Sequence, residues 1–148
     1  MSRSSMRKRE QVALFAAAIL VAIGGIIYEL ILGTAASYLV GDSILSFSLA
    51  TGVTLFGMGI GSLLVNCIRL HPATSFATNE IILGLIGGNS VMLMYLGFVF
   101  TRSHWLIFAV ISLAIGICIG LEIPLLMKMF QEFGRKSSVK LFSKILAL

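Results

Sequence analysis

The 148-residue chain is 58% hydrophobic and only 11% charged, whereas soluble domains carry about 25% charged residues. This composition excludes an ordinary soluble domain and indicates a membrane protein. A helix that spans a bilayer needs about 20 mostly apolar residues. The chain therefore has room for four or five spans and little else.

The charge balance is basic, with 11 Lys and Arg residues against 6 Asp and Glu residues. The bases concentrate in the two flanks, without the interleaved aromatic residues that stack on nucleic-acid bases. They are Arg3, Arg7, Lys8, Arg9, Arg135, Lys136, Lys140 and Lys144. This placement predicts a lipid bilayer as partner and no nucleic acid, since flanking bases set membrane topology.

The N-terminal residues 1–11 form a basic polar head, and the first predicted span covers residues 12–32. This apolar run exceeds the roughly 7 to 15 residues of a signal-peptide core, which favours a retained span over a cleaved signal. It contains one acid, Glu29, towards its far end. An ionised carboxylate is costly in hydrocarbon, so we expect Glu29 to face protein, water or the interface.

The segment Gly41-Asp42-Ser43 predicts a turn followed by a helix start, because Asp or Ser at an N-cap satisfies free amides of the first turn. The second predicted span covers residues 44–67. Glycines one turn apart let neighbouring helix backbones approach closely, and three such pairs occur in three spans. The pairs are Gly57 with Gly61, Gly84 with Gly88, and Gly116 with Gly120.

Residues 68–79 form a polar connection to the third predicted span, residues 81–101. A helix start is predicted at residues 78–80, where the helix dipole would favour Glu80. Within the span, Asn89 and Ser90 are expected to hydrogen-bond to a neighbouring helix. His71, Cys67 and Cys118 fit neither metal-ligand nor disulfide spacing, so no metal site is predicted and both cysteines are interpreted as free thiols.

The fourth predicted span covers residues 106–127, which makes the membrane domain residues 12–130. Pro124 removes a backbone donor, so we expect a helix kink there. Glu122 beside it has two interpretations, a polar pocket at the kink or an interfacial carboxylate near Lys128. Residues 131–148 are interpreted as a basic amphipathic tail at the membrane surface or as the start of a further, partial fifth helix.

Counting bases by side predicts the orientation of the four spans. Ten of the eleven bases, including Arg69, fall on the face that holds both termini, and Arg102 alone falls on the other. The positive-inside rule then places both termini in the cytoplasm. The predicted fold is an all-α, polytopic transmembrane helical bundle of four spans in a bacterial inner membrane. Glu29 and Asp42 are expected near the outer face, and Glu122 near the inner one.

Four stretches in this order and spacing resemble the multi-spanning N-terminal membrane region of the bacterial spermidine synthase-like (polyamine aminopropyltransferase) family. They are residues 28–33 (YELILG), 36–43 (ASYLVGDS), 57–62 (GMGIGS) and 120–125 (GLEIPL). The resemblance covers about residues 20–148. It implies that further spans and a soluble methyltransferase-like catalytic domain are encoded downstream, so no catalytic residue and no cofactor is assigned to this chain.

Three functional hypotheses follow. The first is a non-catalytic membrane region of such an aminopropyltransferase, in which the acids Glu29, Asp42 and Glu122 are candidate partners for a polyamine. The second is a small proton-coupled transporter of cationic compounds, because an acid in a span can be protonated or cation-bound by turns. The third is a structural membrane subunit or a gene fragment.

Overall fold

A computed structural model describes residues 3–68, 71–100 and 104–146, with side-chain positions for most residues between Val12 and Gln131. The described residues form four α-helices and no strand, which confirms the all-α prediction. The helices are α1 (Arg3–Val40), α2 (Ser43–Leu64), α3 (Pro72–Phe100) and α4 (His104–Leu146). Arg69 and Arg102, which enter the predicted orientation, lie outside the described residues.

The connection between α1 and α2 has the predicted chemistry. Gly41 has a φ of +83°, a left-handed backbone conformation that residues other than glycine rarely adopt. Asp42 follows as the N-cap, and its Oδ1 accepts a hydrogen bond of 3.0 Å from the amide of Leu45. The predicted turn and helix start are therefore confirmed.

Two predicted boundaries are wrong. Helix α3 begins at Pro72 rather than at residues 78–80, because proline already has the φ of a first helical residue and needs no amide partner there. Helix α4 continues through Pro124 to Leu146. The described part of the tail is thus a continuation of the fourth helix rather than a separate surface helix or a fifth one. The helix is not interrupted at Pro124, and the kink there stays a prediction.

Helix α4 is the most buried of the four and contacts all the others, whereas the described residues of α2 and α3 make no contact with each other. Its closest neighbour is α2, which runs parallel to it. A Cβ built at Gly57 would lie 3.1 Å from the Cα of Gly116, and one at Gly61 would lie 3.1 Å from the carbonyl carbon of Gly120. The two glycine pairs therefore face one another with backbone against backbone.

The expectation of close packing at Gly84 and Gly88 is wrong within the described residues. A Cβ built at either position would meet no atom within 4 Å. The glycines of α3 that do face a neighbour are Gly87, where a Cβ would collide with the ring of Tyr28 in α1, and Gly97, where it would collide with the side chain of Ile107 in α4. The spacing of glycines marks a face of a helix, but the face that packs is set by the neighbouring helices.

The exterior and interior of the bundle differ from those of a water-soluble protein. Large apolar side chains cover the outside, including Ile44 at 84% exposed and Phe56 at 67%. Small polar side chains such as Ser46 and Ser112 are fully buried. The described residues contain four helical segments long and apolar enough to cross a membrane: Phe15–Leu39, Ser43–Leu64, Pro72–Phe100 and Trp105–Met129.

Candidate functional site

Glu29, the acid of the first helix, has a partner on the second. The hydroxyl of Thr51 in α2 donates a hydrogen bond of 2.5 Å to Oε1 of Glu29, and the carboxyl group is half-buried. Glu29 is thus a component of the α1–α2 interface, with one oxygen already satisfied by the chain.

Asp42 is exposed and serves as the N-cap of α2. Next to it, the hydroxyls of Ser37 and Ser43 hydrogen-bond to each other at 2.8 Å across the turn. The carboxylate of Asp42 therefore has a structural task at the end of the bundle. It does not lie beside Glu122, which belongs to the opposite end of the molecule.

Glu122 is the most buried acid of the described residues, with 1% of its surface exposed. Its carboxyl group lies within hydrogen-bonding reach of the carboxyl group of Glu80 in α3. No donor among the described residues hydrogen-bonds to Oε1 of either acid. Since two carboxyl groups can hydrogen-bond to each other only when one holds a proton, this pair is the chemically distinctive feature of the bundle.

The carboxyl pair sits beside an interhelical clamp. Nδ2 of Asn79 in α3 donates a hydrogen bond of 2.9 Å to the backbone carbonyl of Cys118 in α4. Helices α3 and α4 are antiparallel, so one turn further along each of them brings Ser75 to the level of Glu122. Ser75 is 6% exposed, and its hydroxyl has no hydrogen-bond partner among the described residues. Ser75 and the two acids thus place three buried or half-buried oxygens at one end of the α3–α4 interface.

Lys128 lies further along α4, and its side chain contacts the C-terminal end of α2 rather than the carboxyl pair. Its Nζ donates a hydrogen bond of 2.8 Å to the carbonyl of Val65, the C-cap residue of α2. A cation at a helix C-terminus complements the unpaired carbonyls there. Glu122 is buried rather than exposed beside Lys128, and the polar pocket at the kink stays a prediction.

Sequence reasoning missed part of this site. Asn89 and Ser90 were expected to reach a neighbouring helix, which is wrong: each bonds to a carbonyl of its own helix, that of Leu85 at 2.8 Å and that of Gly87 at 2.6 Å. The cross-helix donor is Asn79. The sequence did contain a signal for this site. Ser75 and Asn79 are one helical turn apart, and Asn79 directly precedes Glu80. The signal can be read only if α3 is taken to begin at Pro72.

The remaining candidates stand apart from this site. Among the described residues, no group of three or more His, Cys, Asp or Glu side chains is placed to hold a metal ion. Cys67 is exposed and Cys118 is buried, and both are free thiols. An open, mostly apolar groove of about 340 Å³ lies between α1 and α3, with Thr34, Tyr38 and Tyr95 among its lining residues and no acid.

Comparison with known proteins finds relatives that are named polyamine aminopropyltransferase. It is 41% identical over 119 residues to polyamine aminopropyltransferase 1 of Streptomyces coelicolor, a match that covers 80% of this chain and 22% of that protein. It is 36% identical over 138 residues to the polyamine aminopropyltransferase of Leptospira interrogans, covering 93% of this chain and 27% of the relative. It is 39% identical over 140 residues to polyamine aminopropyltransferase 2 of Ralstonia nicotianae, covering 93% of this chain and 27% of that relative.

No family model matches the sequence, and no solved structure matches it. The chain spans about a quarter of the length of the curated relatives it matches. The family resemblance inferred from its motifs is confirmed by matches along most of its length. The chain belongs to the polyamine aminopropyltransferase family, of which it represents about a quarter of the sequence.

Proposed function

We propose that this chain forms a membrane-spanning, non-catalytic part of a polyamine aminopropyltransferase-type protein. The observation that carries the proposal is the reversed polarity of the bundle. Its outside is covered by large apolar side chains, while hydroxyls and the Glu122 carboxyl group are buried. A surface of that kind is unfavourable in water and matches the hydrocarbon core of a bilayer.

The helix lengths support the same proposal. Helix segments of 22 to 29 residues correspond to about 33–44 Å at 1.5 Å per residue, enough to cross a hydrocarbon core of about 30 Å with some tilt. We place both termini in the cytoplasm of a bacterial inner membrane, because ten of the eleven bases share that face in a four-span arrangement.

Extraction and topology measurements test this proposal. The 148-residue chain expressed in bacteria should remain in the membrane pellet after washing with alkaline carbonate. Reporters fused after Leu148 should be active on the cytoplasmic side, and reporters inserted at the turn between α1 and α2 on the other side. Release of the chain by carbonate, or reporters active on the opposite sides, would overturn the proposal.

A polyamine is the ligand class that the names of the relatives supply. We extend it to this chain as part of the proposal, because a flexible polycation pairs with carboxylates. Of the three acids singled out in the sequence, Asp42 caps a helix and Glu29 accepts from Thr51. Glu122 is the one whose Oε1 receives no donor from the described residues.

The second candidate function is proton-coupled transport of a cationic compound. The observation that favours it is the contact between the carboxyl groups of Glu80 and Glu122, because such a pair can exchange a proton for a cation. Purified chain reconstituted into liposomes with an imposed pH gradient would accumulate radiolabelled spermidine if it transports. A chain that binds spermidine but does not move it supports the first candidate alone.

A further inference from the structure

We infer that Glu80, Glu122 and Ser75 form a binding site for one primary ammonium group at the end of an alkyl chain. The inference deepens the proposed polyamine ligand and rests on it. It assigns that ligand to one end of the α3–α4 interface and excludes Glu29 and Asp42 as its direct partners.

The donor and acceptor inventory of the site is the first argument. Oε1 of Glu80, Oε1 of Glu122 and Oγ of Ser75 all lack a hydrogen-bond partner among the described residues. A primary ammonium has three N–H donors and no acceptor, which matches in number the three unpartnered oxygens at this end of the α3–α4 interface. Buried carboxyl groups are stable only when paired or neutralised, so the site favours a partner that brings both positive charge and hydrogen atoms.

The surroundings of the pair give the second argument. Helix α2 contains no charged residue, and residues 15–27 of α1 contain no titratable side chain. On α4, the titratable groups nearest in sequence are Cys118 and Lys128, and Lys128 donates to the carbonyl of Val65. Glu80 is therefore the acid that faces Glu122 across the interface, and Lys128, the cation nearest to Glu122 along α4, is bonded elsewhere.

The two acids differ in burial, and this difference defines an inner and an outer end of the site. Glu122 is 1% exposed, whereas Glu80 is half-buried. In the proposed binding mode, the ammonium group lies between Glu80 and Glu122, and the alkyl chain extends past the more exposed Glu80 towards the outside of the bundle. The clamp between Asn79 and the carbonyl of Cys118 holds the two helices at this spacing.

Binding has a defined proton balance. We take the two carboxyl groups of the unliganded pair to share one proton, because two carboxyl groups in contact can hydrogen-bond to each other only when one of them is protonated. When the ammonium donates to both oxygens, that proton leaves to the buffer and both groups become carboxylates. One proton is therefore released for each ammonium bound, with no change in oxidation state and no covalent step.

Isothermal titration of spermidine into the purified 148-residue chain in detergent micelles tests the inference. Titrations at one pH in two buffers of different ionisation enthalpy should give a release of about one proton per spermidine bound. Glu122→Gln and Glu80→Gln should each weaken binding at least tenfold and abolish the proton release. Ser75→Ala should weaken it about threefold to tenfold. Glu29→Gln, a matched loss of one carboxylate in the same bundle, should change the affinity less than twofold.

Competition distinguishes a hydrogen-bonding site from attraction to charge alone. n-Butylammonium should displace spermidine, whereas tetramethylammonium, which has the same charge and no N–H donor, should not. Fluorescence of the single tryptophan, Trp105, checks that each variant is folded. The inference is overturned if Glu122→Gln and Glu80→Gln retain full affinity, if tetramethylammonium competes equally, or if the wild-type chain does not bind spermidine. Membrane insertion, measured by carbonate extraction, is a separate result that these outcomes do not affect.

Discussion

Gly61 of α2 faces Gly120 of α4 so closely that a Cβ on Gly61 would lie 3.1 Å from the carbonyl carbon of Gly120. The same Cβ would collide with the backbone carbonyl oxygen of Ile117. Backbone atoms cannot move aside as a flexible side chain can. The α2–α4 contact is therefore the part of the bundle least able to accept an added methyl group.

Gly61→Ala should destabilise the bundle by about 1–3 kcal/mol, the usual cost of overpacking a closely packed interior. The measurement is SDS-induced unfolding in micelles, followed by Trp105 fluorescence. Gly59→Ala is the matched control, because a Cβ at Gly59 meets no atom within 4 Å. It should be neutral or stabilising, since alanine favours helix over glycine. Equal destabilisation by both variants would contradict the packing described.

Asn79→Ala should lower the free energy of unfolding by about 0.5–2 kcal/mol, the range for interhelical hydrogen bonds in membrane proteins. The cause is loss of the donor to the carbonyl of Cys118. Asn89→Ala removes the same side chain from the same helix, but Asn89 bonds only within α3, to the carbonyl of Leu85. If both variants unfold at the same SDS fraction, the hydrogen bond from Asn79 to the carbonyl of Cys118 makes no measurable contribution to the free energy of unfolding.

Thr51→Val should destabilise the chain by about 1 kcal/mol, because valine keeps the shape of threonine and removes the donor to Glu29. A double-mutant cycle with Glu29→Leu, which removes the acceptor oxygen that glutamine would keep, isolates the contact. Either substitution should lower the free energy of unfolding by less when the other is already present. Strict additivity of the two changes would show that the hydroxyl and the carboxyl group do not interact.

Cys67 offers a test of orientation that needs no inserted reporter. It is exposed just beyond α2, whereas Cys118 is buried. With both termini in the cytoplasm, a membrane-impermeant maleimide should label inverted vesicles and leave intact spheroplasts unlabelled. Cys67→Ser should abolish the labelling and Cys118→Ser should leave it unchanged. Labelling of spheroplasts alone would reverse the proposed orientation.

Local chemistry explains which parts of the fold were predictable. The turn at Gly41 and the cap at Asp42 depend on the conformational freedom of one residue and the side-chain acceptor of the next, and both are legible in the sequence. Four helices followed from the length of the apolar runs. The start of α3 was misplaced because Thr78, Asn79 and Glu80 have the composition of a helix start, although Pro72 already begins the helix.

The candidate site was predicted only in part, because it depends on which faces of two helices meet. Glu122 stood out as an acid beside a proline in an apolar run. Its partner Glu80 was assigned to the dipole of a helix start, an interpretation that α3 removes by beginning two turns earlier. Likewise, Asn89 and Asn79 are equally polar in the sequence, and only the packing of α3 on α4 selects Asn79 as the interhelical donor.

Because α4 is continuous, a change of angle within it moves its far end by a larger distance. The helix runs unbroken from His104 to Leu146, and its last 22 residues after Pro124 extend over about 33 Å at 1.5 Å per residue. A bend of about 10° at the proline, a common site of helix bending, displaces Leu146 sideways by about 6 Å. Because Glu122 lies two residues before Pro124, a change of backbone angle at this point would move the far end of α4 several times further than it moves Glu122.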